Sequence, residues 1–449
     1  MPIVTAMRTF LAAALLATAP AAIAQERVAP VTVIHAGHLL AVPGRPALGP
    51  STIVIRGNRI ESVSEGFRDG PAGARLIELR DQWVMPGLID SHIHMGSSGE
   101  QLKDRIEGTT ANREDAFVKG IRNAGLDLQA GFTTVRELGG YPPMSRALKR
   151  GIAEGVIEGP TIVMAARMVS VTGGHGDPRN GLRQEFAHVA EEDMTAVCDG
   201  PDDCRRATRK QIADGAEVIK FAATGGVGSN VAGGLGRQMT PEEMKAVVDT
   251  AHLWGRKVAS HAHGLDGINA ALEAGVDSIE HGTYGDSTSF ALYKRTGAYY
   301  VPTLLAPQEI NKAGQRGELT PASAAKAREV AGLAIKTLSA AYKSGVRIAF
   351  GTDTGVGRHG INGQEFALMT EAGIPPAVTL RMATIDAATL LGRADRIGTI
   401  EAGKDADIIA VDEDPVANIR TMERVSFVMR QGRVHKSGGQ HVVPDAAIY

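Results

Sequence analysis

Residues 87–95 read GLIDSHIHM, an apolar run ending in two histidines separated by one residue. On an extended strand His92 and His94 leave the same face, close enough to share one cation. Alone, such an HxH is weak evidence, because a single buried histidine is more often a hydrogen-bonded core residue than a ligand. The runs that follow change its weight: EVIKFAATGG (217–226), KVASHAHG (257–264), DSIEHGT (277–283) and RIAFGTDTG (347–355). Each is short and β-rich, and each delivers one potential ligand just before a glycine or loop: Lys220, His261, His281 and Asp353. Together with His92 and His94 they form the ligand set of a metal hydrolase site.

Around these runs, strand and helix patterns alternate. Helical stretches at 115–130 and 143–154 flank the strand FTTVREL and precede TIVMAAR. Thr240-Pro241-Glu242-Glu243 reads as a helix start, with an N-cap hydroxyl, a proline and acids in the first turn. A longer helix is expected from Pro321 to Lys343. About eight such βα units predict an α/β fold, a (β/α)8 TIM barrel over residues 87–395, whose strands point their C-terminal ends at one face. A doubly wound open sheet is the rival, but it does not gather residues from so many strands at one point. The chain ends carry short alternating strands such as STIVIRGNRIESVSEG and VSFVMRQGRVHK, and neither set makes a full sheet alone. They predict one small composite β-sandwich domain from residues 25–86 and 396–449, with the barrel inserted between its halves.

The chain has 449 residues, 43% of them hydrophobic, enough for one large domain and a satellite. A formal net charge of −2 lacks the basic footprint of a nucleic-acid partner. Residues 1–24 read as a secretory signal peptide: Arg8, an apolar stretch, and Ala22-Ile23-Ala24 before Gln25. The mature protein is therefore expected to be periplasmic or secreted, with no membrane contact after cleavage. An oxidising compartment gives Cys198 and Cys204 a role as a small disulfide loop, the alternative being two free thiols.

At this point the chain resembles a family. VMPGLIDSHIH, GFTTVRELGG, TGGHGD, VIKFAATGGV, ASHAHG, IEHGT, FGTDTG and AGKDADIIAVD are similar to the motifs of the amidohydrolase superfamily, and the likeness covers nearly all of residues 27–440. It is closest in texture to the imidazolonepropionase-like and Xaa-Pro dipeptidase branch, which includes ochratoxin-degrading amidohydrolases. The resemblance implies two divalent metal ions, commonly zinc, and a carbamylated Lys220 (N6-carboxylysine) bridging them. His92, His94 and Asp353 would hold the first ion, and His261 with His281 the second. A hydroxide between the ions would be the nucleophile, with Asp353 as the catalytic proton carrier.

Same-face spacing in SHAH does not choose between His261 and His263; the resemblance selects His261 as ligand and leaves His263 to the substrate pocket. His175, in the glycine-rich TGGHGD, is a candidate for catalysis or for contact with the substrate carbonyl or carboxylate. Arg237 and Arg358, in glycine-rich loops, are candidates to hold a carboxylate. His35 and His38 are expected to be structural. The expected substrate is a dipeptide or N-acyl amino acid cleaved at its C-terminal amide bond, ochratoxin-type aryl amides included. A cyclic-amide hydrolase or deaminase on the same scaffold is the alternative. Lys220 weighs against the deaminases, which in this superfamily typically dispense with a bridging lysine. An inactive structural relative would be expected to have lost ligands. A homo-oligomer is left open.

Overall fold

The computed structural model describes residues 29–443 apart from positions 181, 184, 186, 187, 189, 191–193 and 230–232. The expected signal peptide lies outside the described residues. Among those described, no helix is long and apolar enough to cross a membrane.

The chain opens with β1 (Val31–Leu39), β2 (Ser51–Arg56), β3 (Arg59–Glu65) and β4 (Arg75–Pro86). Next come β5 (Leu88–Ile93), β6 (Phe132–Glu137), β7 (Thr161–Met164), β8 (Val218–Ala222), β9 (Lys257–Ala262), β10 (Ser278–His281), β11 (Tyr299–Val301) and β12 (Arg347–Ile348). It ends with β13 (Ile408–Val411), β14 (Phe427–Arg430), β15 (Arg433–Ser437) and β16 (Gln440–His441).

The two chain ends share one sheet, in the order β16-β15-β14-β13-β4-β1-β2-β3. Its free edge does not stay open: the Ile60 N–H donates to the Lys404 carbonyl and the Ala406 N–H to the Asn58 carbonyl, joining β3 to the segment entering β13. Ile34, Ile53, Ile55, Ile408, Phe427 and Met429 form a separate apolar cluster inside this module. Where the sequence reading expected two stacked sheets, the chain ends form a single sheet whose edge strand β3 bonds back to the segment entering β13.

The middle strands are parallel and form two sheets, β5-β6-β7 and β8-β9-β10-β11-β12. β5, β6 and β8 are buried along their whole length, as parallel strands covered by helices are. Backbone hydrogen bonds cross both seams. Near one, the Val169 N–H donates to the Lys220 carbonyl (2.8 Å) and the Ala222 N–H to the Val169 carbonyl (2.9 Å). At the other, the Asp353 N–H donates to the His92 carbonyl and the His94 N–H to the Thr354 carbonyl, both at 2.7 Å. These contacts put the end of β5 directly beside Asp353.

Helices pack against the strands through one large core that includes Phe221, Val258, Ile279 and Phe350 from the strand side and Leu128, Val247, Leu272 and Leu338 from the helices. The expected helix start at Thr240 is a capping box: Thr240 Oγ1 accepts from the Glu243 N–H and the Glu243 carboxylate from the Thr240 N–H. The long helix spans Pro321–Lys343 as the sequence indicates. Pro201–Ala213 is a helix with proline in the first turn. It carries Cys204, which is disulfide-bonded to Cys198.

Candidate metal centre

His92 and His94 sit at the end of β5, facing Asp353 across the seam. A carboxylate and a carbonyl can only accept, so their partners fix the proton on each ring. His92 Nδ1 donates to Glu280 Oε2 at 3.0 Å, and His94 Nδ1 donates to the Gly139 carbonyl at 3.1 Å. Both Nε2 atoms then present lone pairs, and they lie 3.4 and 3.2 Å from Asp353 Oδ1, itself buried without a hydrogen bond. Three lone pairs converging this closely repel one another unless a cation lies among them. This is a ligand set with the donor chemistry of zinc or a similar divalent ion.

A second group adjoins it: His261, His263 and His281 each offer a ligand atom within 4.8 Å of the others. His281 Nδ1 donates to Thr303 Oγ1 (2.7 Å), whose own proton goes to the Pro302 carbonyl, so the His281 Nε2 lone pair is free. His261 is turned the other way, with Nε2 donating to the Gly225 carbonyl at 3.3 Å and Nδ1 left to bind. His263 Nδ1 lies 2.8 Å from Thr283 Oγ1, and its ring stacks on His281 with centroids 4.9 Å apart. The sequence placed His263 in the pocket wall; the fold brings it into the histidine cluster itself.

Burial keeps His92, His261, His263 and His281 neutral, the state a metal requires, whereas at His94 burial is outweighed by the Asp353 carboxylate, which holds that ring above the ordinary imidazole range. Burial, reinforced by the charge of Lys220, pushes His92 down to about 4. His261 and His281 are pushed well below the ordinary imidazole range by burial and by neighbouring histidines. Lys220 itself is 1% exposed and its Nζ has no hydrogen-bond partner. Burial lowers it to about 8, so about a tenth is the free amine at pH 7, far more than for an ordinary lysine. An orphaned amine in this position fits a lysine that becomes an anionic ligand.

Two of the ligands have unusual backbones. His281 has φ 71° and Asp353 φ 59°, left-handed conformations that cost about 1–3 kcal/mol each for side-chain-bearing residues and recur where function demands them. The turn at His281 breaks strand alternation, so Glu280 can face Arg136 while the next residue reaches the site.

All six predicted ligands line one cavity of about 760 Å³, together with His175 and His263. His175 packs its ring 4.2 Å from that of His261, and its backbone N–H is held by Gln238, so this loop residue is fixed in place. Arg237 and Arg358 are placed elsewhere. Neither lines the cavity; Arg237 faces Asp266 and Arg358, 72% exposed, faces Glu100, each at 4.0 Å. Glycine-rich loops near ligands were the reason for choosing them, but those loops direct both side chains outward.

Sequence reading missed the residues behind the ligands. Arg136 reaches from β6 to Glu280 (2.9 Å), Ser278 Oγ (3.1 Å) and the Ser91 carbonyl (2.5 Å). Burial pushes the Glu280 carboxyl up, but Arg136, the His92 hydrogen bond and Lys220 hold it down at about 2. The available signal was charge inside fully buried strands: Arg136 and Glu137 in FTTVRE, and Glu280 in SIEH.

Residues 83–435 match the Amidohydrolase family. Ochratoxinase from Aspergillus niger is 31% identical over 440 residues, covering 94% of this chain and 90% of that protein. Among solved structures, a Xaa-Pro dipeptidase with bound methionine is similar at TM-score 0.83 and 36% identity, covering 91% of this chain and 100% of the other. A prolidase complexed with N-methylphosphonate-L-proline is similar at TM-score 0.82 and 30% identity, with the same coverage. The converging donors and these likenesses agree: the chain belongs to the amidohydrolase family and is a hydrolase acting on carbon–nitrogen bonds.

Proposed function

We propose that this chain is an exported binuclear enzyme that hydrolyses the C-terminal amide or peptide bond of dipeptides or N-acyl amino acids. The observation that carries the reading is the convergence of His92 Nε2, His94 Nε2 and Asp353 Oδ1, with an unpartnered Lys220 amine in the same cavity. Hydrogen bonds across both seams support treating the two parallel sheets as one closed (β/α)8 barrel. The pattern of residues 1–24 supports export.

His92, His94 and Asp353 would hold one divalent ion, zinc by donor type, and His261 with His281 the other. Lys220 would serve both as a carbamate, formed when its free amine attacks carbon dioxide and gives up a proton. When bound, the ions supply Lewis acidity and a lowered water pKa. Asp353 orients the attacking water and takes its proton at its second oxygen, Oδ2, which leaves Oδ1 to the ion. It then passes that proton to the departing amine, which leaves poorly unless protonated. His175, held by Gln238, is positioned to contact the substrate beside the ligands.

Similarity to a Xaa-Pro dipeptidase supports dipeptides, and similarity to ochratoxinase supports including ochratoxin A among the substrates to be tried. The test is metal content followed by amine release from dipeptides, N-acyl amino acids and ochratoxin A, with Lys220→Ala and Asp353→Asn as controls. Stoichiometric metal and turnover lost in both variants are expected. Turnover surviving in both would sink the mechanism.

A further inference from the structure

The cavity lining is chemically uneven. One part is apolar: Val227, Ile310 and Val330 belong to a buried cluster against which Val356 packs. Another part comes from the helix Gln101–Thr110 and contributes Arg105, the one arginine among the described lining residues. Its acidic neighbours are engaged elsewhere. Asp104 accepts from the Ser98 N–H at 2.9 Å and lies 3.6 Å from Lys119 Nζ, while Glu107 pairs with Lys119 at 2.7 Å. Asp177, also on the lining, is neutralised by Arg179 at 2.6 Å. Arg105 is therefore left without an ion-pair partner among the described residues, in a cavity whose other acid, Asp353, lies at the metal centre.

We propose that Arg105 is the specificity residue that receives the substrate's free carboxylate, the role the sequence offered to Arg237 or Arg358. A guanidinium presents paired N–H donors that match a carboxylate, and the acid beside it on the lining, Asp104, is already engaged by the Ser98 N–H and by Lys119. The apolar lining then suits a substrate with an uncharged, hydrophobic body. This inference rests on the amide-hydrolase reading above.

The test compares an N-acyl amino acid with its C-terminal carboxamide, which lacks the charge. Wild type should favour the free acid by about 10- to 100-fold in kcat/KM, the range of one charge-assisted contact. Arg105→Ala should collapse that ratio, chiefly through KM, and Arg105→Lys should restore part of it. A ratio unchanged in Arg105→Ala, or one that collapses in Arg237→Ala or Arg358→Ala instead, overturns the assignment. Absence of turnover on both compounds by the metal-loaded wild type would count against the amide reading alone. Calorimetry with N-methyl-L-phenylalanine and its carboxamide then reads the anchor directly: tighter binding of the acid, lost in Arg105→Ala, supports it, and equal binding overturns it.

Discussion

His92 Nδ1 lies 3.0 Å from Glu280 Oε2, so a candidate ligand at the end of β5 is oriented by a carboxylate 188 residues away, next to His281. Arg136 completes the arrangement from β6, 2.9 Å from the other Glu280 oxygen. Orientation of this kind usually decides metal affinity as much as the ligands do.

Glu280→Gln is expected to weaken metal binding about 10- to 100-fold, because the amide cannot satisfy both the His92 ring and Arg136. It also leaves Arg136 a buried cation without its counter-charge, a loss of about 3–5 kcal/mol in stability. Chelator competition and denaturant unfolding measure the two effects. Unchanged metal affinity would show that Glu280 does not orient His92.

Asp353→Asn keeps the shape of the side chain and removes its capacity to carry a proton. Turnover should fall about 10²- to 10⁴-fold with the fold intact. Pre-steady-state amine release, with circular dichroism as the folding control, checks it; near-normal turnover would move proton transfer to another residue.

Lys220, lowered by burial to about 8, reacts with carbon dioxide only as the free amine. At fixed dissolved carbon dioxide, reconstitution of the metal-free protein should slow about tenfold per pH unit from pH 8 to pH 6 and level off above it. The stability sign follows from the same shift. Between about 8 and the usual 10.5, the unfolded lysine binds a proton that the folded one has lost, so metal-free protein gains stability from this group as pH rises. Lys220→Met should flatten both profiles, and a reconstitution rate indifferent to pH would remove the lysine from the process.

Gly226 is required by His175. A Cβ at this position would lie 2.4 Å from His175 Cε1, inside van der Waals contact. Gly226→Ala should therefore displace the imidazole and lower kcat/KM about as much as His175→Ala does, with little change in melting temperature. Full activity in Gly226→Ala would mean that the placement of His175 is not needed for turnover.

The disulfide between Cys198 and Cys204 closes a short loop, with a sequence separation of 6. Replacing both by alanine should lower stability by about 2–3 kcal/mol, with metal binding retained. Thermal unfolding with and without reductant measures the difference, and equal midpoints for wild type under the two conditions would contradict it.

Much of the candidate site was legible along the chain, because the candidate ligands stand at the ends of β-rich runs, His92 and His94 sharing one, before a glycine or loop. Strand ends announce themselves through local chemistry: β-branched and apolar residues up to the ligand, turn residues after it. The helix start at Thr240 and the disulfide were legible for the same local reason. The choice between His261 and His263 was not, since same-face spacing is equal for both and only the ring partners Gly225 and Thr283 distinguish them.

By itself, then, the order of residues determined which side chains could bind a cation and which segments would become strands, since both depend on neighbours in the chain. Tertiary structure decided which nitrogen of each histidine faces the site, where Arg136 and Glu280 meet, and which arginine lines the cavity. Those outcomes depend on contacts between residues far apart in sequence, and no local pattern encodes them.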